Sequence, residues 1–231
     1  MKLFNGQIYP SVEIHEDEQQ HIIKVLRMRD GQELFVTDGQ GNLAKGALKI
    51  EGKKAVLTQI EIQEKIADFS PKLHIAIAPT KNIDRIEFFI EKATELGISK
   101  ITFINTDNSE RKNINIDKIR KQSISASKQS LRTYFPKIND LTKLKDFLKT
   151  INPKKTFVAH CDNRFDRKNL QDIEITDEIT ILIGPEGDFS ENEIISLIDL
   201  KIKSIKLGNQ RLRTETAGIY ASAWVYFQMK N

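Results

Sequence analysis

The sequence has little of what marks secreted, metal-binding or membrane-spanning proteins. Its 231 residues include one cysteine, Cys161, so no internal disulfide can form, and four scattered histidines give that cysteine no companions for a metal site. No apolar run approaches the roughly 18 residues that a membrane-spanning helix requires, and the first residues lack the apolar core of a secretion signal. With 39% hydrophobic and 29% charged residues, we expect a globular protein of the cytoplasm, in the cytosol, with no metal and no membrane partner.

The charges are unevenly distributed along the chain. The net charge is only +4, but residues 71–160 hold 18 Lys or Arg against 9 Asp or Glu, whereas residues 1–70 hold 9 against 11. A basic region attracts polyanions by counterion release. A solvated lysine-rich surface explains the same excess, so charge alone leaves nucleic-acid binding open.

Short strands separated by turns are predicted over the first 70 residues. The β-like segments include 3–4, 7–9, 33–36 and 55–62, with a strong turn signal at 38–41. One helix is predicted from Asp17 to Arg27, because acidic residues precede a run with helical apolar spacing. Pro71 marks the boundary to a second domain.

Strands and helices alternate after that boundary. Predicted strands cover 72–79, 101–104, 156–161, 179–183 and 202–207, and a helix that begins after Asn82 ends at Gly97. Repeated strand–helix–strand order indicates an α/β fold with a parallel sheet.

Two blocks near the C-terminus each carry a strand that stops at a glycine and turns toward a helix. The first is 181–187, Ile-Leu-Ile-Gly-Pro-Glu-Gly, and the second is 207–217, Leu-Gly-Asn-Gln-Arg-Leu-Arg-Thr-Glu-Thr-Ala. Ligands of parallel sheets bind beyond the carboxyl ends of the strands, and residues without Cβ let the backbone approach them. A plain turn is the alternative for the first block.

The second block crowds polar residues before an apolar helix. Thr214 or Thr216 is expected to cap that helix, and Glu215 suits the positive end of its dipole. The start of a helix does not explain Arg211 and Arg213, because cations there are mildly unfavourable without a partner. A ligand or an RNA phosphate would provide that partner.

These two blocks resemble the SPOUT class of knotted methyltransferases, and specifically the 16S ribosomal RNA (uracil-N3)-methyltransferase family, small-subunit methyltransferase E. Further matches follow in the family's order: His-x-x-x-Val-Leu-Arg at 21–27, the segment 81–97, Glu-Arg at 110–111, and Ala-x-x-Gln-Ser-x-Arg at 126–132. The sequence departs from the pattern at Asp188, where a third glycine is usual, at Arg211, where an aliphatic residue is usual, and at Lys128, which replaces a glutamate.

The resemblance implies a PUA-like RNA-binding β-barrel over residues 1–70 and a SPOUT α/β methyltransferase domain with a parallel sheet and a trefoil knot over residues 71–231. It implies S-adenosylmethionine as cofactor, 16S rRNA of the small ribosomal subunit as substrate, and a homodimer. The broad apolar surface of the last helix suits an interface, and it suits a core helix equally.

The resemblance also assigns residues. It places the cofactor against Ala159, His160, Gly184, Pro185, Glu186, Gly187, Leu207, Gly208 and Leu212. It suggests RNA contacts at Lys2, Arg27, Arg29, Lys81, Arg85, Arg111, Gln129 and Arg211. A histidine in the position of His160 is more often an ordinary residue at the end of a strand.

The chemistry of the implied reaction points to arginines. Uracil N3 attacks a methyl group well only as its proton leaves, and negative charge then spreads onto the flanking carbonyl oxygens, where arginines stabilise it. Arg132 and Arg213 are the candidates for catalysis, and phosphate binding is the alternative role for each. A non-catalytic RNA-binding or ribosome-assembly factor, and a related enzyme acting on another RNA base, are the competing hypotheses.

Overall fold

Two units make up the computed structural model, which describes residues 1–229. The first unit consists of Met1–Asp68 and Ile124–Phe135, and the second of Phe69–Ser123 and the described chain from Pro136 onward. Nothing in the sequence pattern indicated that 124–135 belongs with the N-terminal residues. The domain boundary placed after residue 70 stays a prediction.

The first unit is a nearly closed five-stranded sheet. Its elements are β1 (Leu3–Gln7), β2 (Glu13–Ile14), α1 (Glu16–Gln20) continued by a π-helical turn (His21–Val25), β3 (Glu33–Thr37), β4 (Leu43–Glu51) and β5 (Lys54–Gln63). The strand order is β2-β1-β3-β4-β5, with β1 and β3 parallel and the other neighbours antiparallel. Because β2 also approaches β5, the sheet curls toward closure, which confirms the predicted barrel.

Alternation along the strands builds the core of this unit. Leu34 and Val36 of β3 point inward with Ala44 and Leu48 of β4, and all four are buried. Ile22, in the π-helical turn, is also fully buried and packs into the same cluster. The helix predicted over 17–27 is observed over 16–25; its residue Ile22 covers the interior of the barrel, whereas Val25 and Leu26 are exposed.

The second unit contains an entirely parallel seven-stranded sheet. Its strands are β6 (Lys72–Ile77), β7 (Lys100–Asn105), β8 (Lys137–Lys143), β9 (Thr156–Ala159), β10 (Lys168–Asn169), β11 (Glu178–Ile183) and β12 (Lys203–Lys206). The strand order is β10-β12-β9-β11-β6-β7-β8, and every neighbouring pair is parallel. This confirms the predicted α/β class; the trefoil knot stays a prediction.

Helices connect these strands. They are α2 (Ile83–Glu95), α3 (Ile116–Gln129), α4 (Leu144–Phe147), α5 (Glu191–Asp199) and α6 (Thr214–Gln228), with short 3₁₀ turns at Leu148–Thr150, Pro153–Lys155 and Leu170–Asp172. The Asn82 side chain caps α2 by accepting a hydrogen bond from Asp84 N, and Gly97 follows α2 with φ +85°. Both ends of that helix confirm the sequence-based prediction.

The middle of the parallel sheet is buried on both faces, which is why the central strands β6 and β11 are largely apolar. Ile181 and Ile183 of β11 pack with Phe89 of α2 and Val225 of α6. Leu182, between those two isoleucines, belongs to the opposite cluster, which includes α4 and α5. This sandwich fixes the carboxyl ends of β9, β11 and β12 side by side.

Residues 1–229 contain neither a candidate membrane span nor a cluster of potential metal ligands. No helix there is both long and apolar enough to cross a membrane. No group of three or more His, Cys, Asp or Glu residues is placed to hold a metal ion.

Candidate functional site

A pocket of about 310 Å³ opens at the carboxyl ends of β9, β11 and β12. Its wall is formed by the end of β9, the loop after β11 and the loop after β12, all within the second unit. Small-molecule sites occupy this place in parallel sheets, and volumes of roughly 300–1,000 Å³ are usual for them. The two glycine-containing blocks of the sequence therefore meet at one cavity.

Eight of the nine residues predicted to contact the cofactor line this pocket: Ala159, His160, Gly184, Pro185, Glu186, Leu207, Gly208 and Leu212. The ninth, Gly187, is not among the lining residues; a Cβ at its position would lie 3.1 Å from Cβ of Asn108. The Asn108 amide donates hydrogen bonds to the carbonyl oxygens of Gly187 and Asp188, both at 3.1 Å. Gly187 thus lets Asn108 pack closely against the loop after β11 and hydrogen-bond to its backbone.

Asp188 departs from the usual glycine and still adopts the left-handed conformation that a glycine would favour. Its φ is +61°, a value that Asp tolerates better than most residues because its short side chain can hydrogen-bond locally. Its carboxylate accepts hydrogen bonds from the backbone N–H of Cys161 at 2.7 Å and of Phe189 at 2.8 Å. The carboxylate therefore ties the end of β9 to the loop after β11.

The loop after β12 is fastened to the loop after β11 by two hydrogen bonds. The buried Thr214 hydroxyl donates to the Gly184 carbonyl at 3.0 Å, and Arg211 Nη2 donates to the Glu186 carbonyl at 3.2 Å. The prediction that Thr214 or Thr216 caps α6 was wrong, because Arg213 is the N-cap residue and no side chain makes a capping bond there. Thr214 instead joins the two walls of the pocket.

Charged side chains lie around the pocket, and several of them are paired with each other. Glu186 accepts a hydrogen bond from Lys81 N at 3.1 Å and lies 3.9 Å from the Arg85 guanidinium. Arg85 also lies 3.8 Å from the buried carboxylate of Glu215. Arg213 lines the pocket, is exposed, and forms no ion pair within the part of the chain that the structure describes. Its positive charge is therefore available to a bound molecule.

His160 lines the pocket, and its imidazole ring makes no hydrogen bond within the described chain. It is 4% exposed, and neither ring nitrogen has a hydrogen-bond partner among residues 1–229. Burial lowers the pKa of His160, so the ring is neutral near pH 7 and offers one donor and one acceptor. Leaving such groups unpaired costs free energy, which a polar ligand in this pocket would offset.

Arg132 belongs to the first unit and is not among the residues that line this pocket. Its guanidinium is buried, with Nη2 3.9 Å from the Asp68 carboxylate. Burial lowers the pKa of Arg132, and the negative charge of Asp68 acts in the opposite direction. Lys128, four residues earlier in the same unit, pairs with the buried Glu18.

The predicted RNA contacts divide between the units. Lys2, Arg27, Arg29 and Gln129 are exposed in the first unit. In the second, Lys81 Nζ pairs with Glu110 at 3.0 Å, while Arg111 donates to the carbonyl oxygens of Thr80 at 2.9 Å and Lys81 at 2.6 Å. Arg85 lies near Glu186 and Glu215, as described above, and Arg211 lines the pocket.

Three lining residues carried no sequence signal of their own: Cys161, Arg167 and Gln210. Arg167 Nη1 donates to the His160 carbonyl at 2.6 Å. Arg167 lies in a polar loop without a motif, so only the folded chain reveals that it supports the end of β9.

Comparisons with known proteins agree with this architecture. Residues 68–226 match the model of an RNA methyltransferase domain, and residues 14–61 match that of an RNA methyltransferase PUA domain. Ribosomal RNA small subunit methyltransferase E of Rickettsia conorii is 33% identical over 224 residues, which cover 93% of this chain and 88% of that protein.

Solved structures are similar over nearly the whole length. The crystal structure of a probable rRNA-methyltransferase from Porphyromonas gingivalis has a TM-score of 0.90 at 33% identity, covering 98% of each chain. Ribosomal RNA small subunit methyltransferase E from Neisseria gonorrhoeae, solved bound to S-adenosyl methionine, has a TM-score of 0.87 at 22% identity, covering 99% of this chain and 98% of that one.

Proposed function

Because the chain belongs to the RNA methyltransferase family that includes ribosomal RNA small subunit methyltransferase E, we propose that it methylates N3 of a uridine in 16S rRNA with S-adenosylmethionine as the methyl donor. The observation that carries the proposal is the pocket at the carboxyl ends of β9, β11 and β12, with the unpaired His160 in its wall. The cytoplasm is part of the proposal, because ribosomal RNA is the substrate.

The residues of the pocket fit the donor. Ile183, Leu207, Leu212 and Ala217 give it an apolar lining, suited to an adenine ring and a thioether-like chain. The backbone at Gly208 is accessible because the residue has no Cβ and the space beside it is open. His160 can satisfy its donor and acceptor against polar atoms of the nucleoside. When bound, S-adenosylmethionine supplies a methyl group already activated on a sulfonium.

The protein itself binds the two reactants, orients them and stabilises the negative charge that develops on the uracil. Fixing two reactants in line removes a large part of the barrier to transfer. The Thr214 and Arg211 hydrogen bonds hold the two loops at a fixed separation, so the pocket is preorganised. Arg213, exposed at its rim, is placed to stabilise negative charge that develops on the uracil carbonyl oxygens as N3 loses its proton.

Arg132 remains, in addition to Arg213, a residue that we propose to act in catalysis. Its burial with Asp68 fixes the direction of its guanidinium, which a residue stabilising a transition state requires. Lys2, Arg27, Arg29 and Gln129, all exposed in the same unit, are proposed to contact the RNA. We also propose that the chain acts as a homodimer.

Calorimetric titration with S-adenosylmethionine tests the pocket assignment. Gly208 lines the pocket, and a Cβ there would meet no atom within 4 Å, so Gly208→Val should leave the fold intact while occupying ligand space. The expected result is binding by the native protein and at least tenfold weaker binding by the variant at an unchanged melting temperature. Absence of binding by the native protein would favour a non-catalytic RNA-binding factor.

A further inference from the structure

Two of the four cations predicted to bind RNA in the second unit are paired with carboxylates. Lys81 pairs with Glu110, and Arg85 lies between the carboxylates of Glu186 and Glu215. The Arg111 guanidinium keeps its charge but donates its hydrogen bonds to two backbone carbonyls. Unpaired cations elsewhere on this unit are therefore candidates for holding an RNA strand.

Three lysines outside every sequence motif surround a hollow of about 540 Å³ at the carboxyl ends of β7 and β8. This lysine groove is lined by Lys112, Lys143 and Lys145, all exposed. None of the three forms an ion pair within residues 1–229. The adjacent carboxylate, Asp146, is paired at 2.7 Å with a different lysine, Lys149.

The two carboxylates that line the groove are held by internal hydrogen bonds. Asp107 Oδ2 accepts from the Ser190 hydroxyl at 2.6 Å. Glu193 accepts from the backbone N–H of Asp107 and of Ser190, both at 2.9 Å. These contacts fix the floor of the groove, where three ammonium groups outnumber the two carboxylates and Asp107 is also exposed.

One buried acceptor in the lining lacks a donor. Asn105 lies at the end of β7 and lines the groove, and its Oδ1 is buried without a hydrogen-bond partner in the described chain. A ligand that suits the groove therefore brings both negative charge and a hydrogen-bond donor. An RNA strand has both, in its phosphates and its ribose 2′-hydroxyls.

The groove and the cofactor pocket are neighbours at the same end of one sheet. The loop 106–109 contacts both regions: Asp107 lines the groove, while Asn108 donates to the carbonyls of Gly187 and Asp188 in the loop after β11. A strand whose target base enters the pocket would pass its adjoining phosphates over this loop.

From this arrangement we propose that the lysine groove binds the backbone of the RNA strand that flanks the methylated nucleotide. The inference rests on the proposed function, which puts the target base at the pocket. It adds a second RNA-contact surface, built from residues 105, 112, 143 and 145.

The test compares two triple variants of the full-length protein. One replaces the groove lysines (Lys112→Gln, Lys143→Gln, Lys145→Gln). The control removes three exposed lysines at the amino ends of the same parallel strands (Lys137→Gln, Lys154→Gln, Lys203→Gln), so the change in charge is equal. Affinity for a labelled single-stranded RNA is measured by fluorescence anisotropy over a range of salt concentrations.

The groove variant should bind this RNA roughly tenfold to a hundredfold more weakly at low salt, and the slope of log K against log salt should fall by about 2, since each lost phosphate contact removes about 0.7. The control should change far less. Equal losses in both variants, or no loss in the groove variant, would overturn the proposal. Loss of binding to intact small subunits with naked RNA unaffected would also overturn it, in favour of a ribosomal protein.

Methyl transfer separates this inference from the proposed function. If the native protein binds RNA through the groove but transfers no methyl group, the groove is confirmed as an RNA-binding surface and the proposed function is wrong. If the groove variant methylates RNA with an unchanged KM, the groove assignment fails and the enzyme assignment stands. Affinity for S-adenosylmethionine should be the same in all three proteins.

Discussion

At the scale of single residues, the Thr214 hydroxyl has the clearest structural role in the pocket. Thr214→Val keeps the shape but leaves the buried Gly184 carbonyl without its donor. We expect the free energy of unfolding to fall by about 1–3 kcal/mol, and the affinity for S-adenosylmethionine to fall as the two loops loosen. Urea unfolding and calorimetry measure the two effects.

Thr216→Val is the matched control for that substitution. Thr216 lies two residues later in the first turn of α6 and is exposed, so its loss should change stability by less than about 0.5 kcal/mol. If both variants behave alike, the hydrogen bond between the loops is not what stabilises the pocket.

His74 makes stability depend on pH. It is buried against Thr102 at 2.8 Å and Thr180 at 3.4 Å, and burial, aided by the charge of Lys100, lowers its pKa from 6.5 to about 3. Between those values the unfolded chain binds one proton more than the folded chain. The free energy of unfolding should therefore decrease as pH falls below about 6.5, by up to about 1.4 kcal/mol per pH unit from this group.

The variant His74→Gln isolates the contribution of His74. Its free energy of unfolding, measured between about pH 6.5 and pH 4.5, should fall less steeply with decreasing pH than that of the native protein. His15→Gln, at an exposed position, should keep the native slope. Identical slopes for all three proteins would show that His74 does not titrate differently in the two states.

At the scale of elements, the crossing of α2 and α6 depends on the absence of a side chain at Gly218. A Cβ there would come within 2.5 Å of the Phe89 ring. In an exposed helix Gly→Ala would stabilise by up to about 1 kcal/mol. Here we expect Gly218→Ala to destabilise, because overpacking a core costs about 1–3 kcal/mol.

A second substitution tests whether this contact is the cause. Phe89→Leu removes ring atoms opposite Gly218, so the double variant should be more stable than the sum of the two single effects, as expected for residues in contact. Strict additivity in thermal or urea unfolding would contradict a steric clash between the helices.

Elements with a local cause could be predicted from the sequence. Asn82 and Gly97 bound α2 because capping and positive φ are properties of those residues. The assignment of 124–135 to the first unit could not be predicted, since it depends on contacts far apart in the chain. Lys128 pairs with Glu18, and Arg132 with Asp68.

In the candidate site, too, features with a local cause could be predicted from the sequence, and features that depend on tertiary contacts could not. Glycines at strand ends located the cofactor loops, because parallel strands place their carboxyl ends together. Threonine at a helix start suggested a cap, whereas tertiary structure uses the Thr214 hydroxyl to join two loops. The lysine groove was missed because its lysines follow different strands and only the sheet brings them together.

At the scale of the whole molecule, the exposed aromatic side chains of α6 predict that the protein self-associates. Tyr220 and Phe227, seven residues apart on one face of α6, are 46% and 83% exposed, and exposed aromatic surface of this kind marks an interaction site. Light scattering at micromolar concentration should give twice the chain mass of 26.5 kDa.

Charge placed on that face should separate the subunits. The double variant Tyr220→Glu, Phe227→Glu is expected to show the mass of one chain, with little change in stability because both side chains are exposed. Tyr226→Glu, on another side of the helix, is the control. A native protein that scatters as a single chain would contradict the dimer.

The central claim is that the pocket formed by residues 184–188 and 207–214 serves methyl transfer to ribosomal RNA. The most direct measurement incubates the protein with isotopically labelled S-adenosylmethionine and small ribosomal subunits that lack the modification, followed by nucleoside analysis of the 16S rRNA. The account predicts label in 3-methyluridine, and strongly reduced label with Gly208→Val. Label in any other nucleoside, or none, would contradict it.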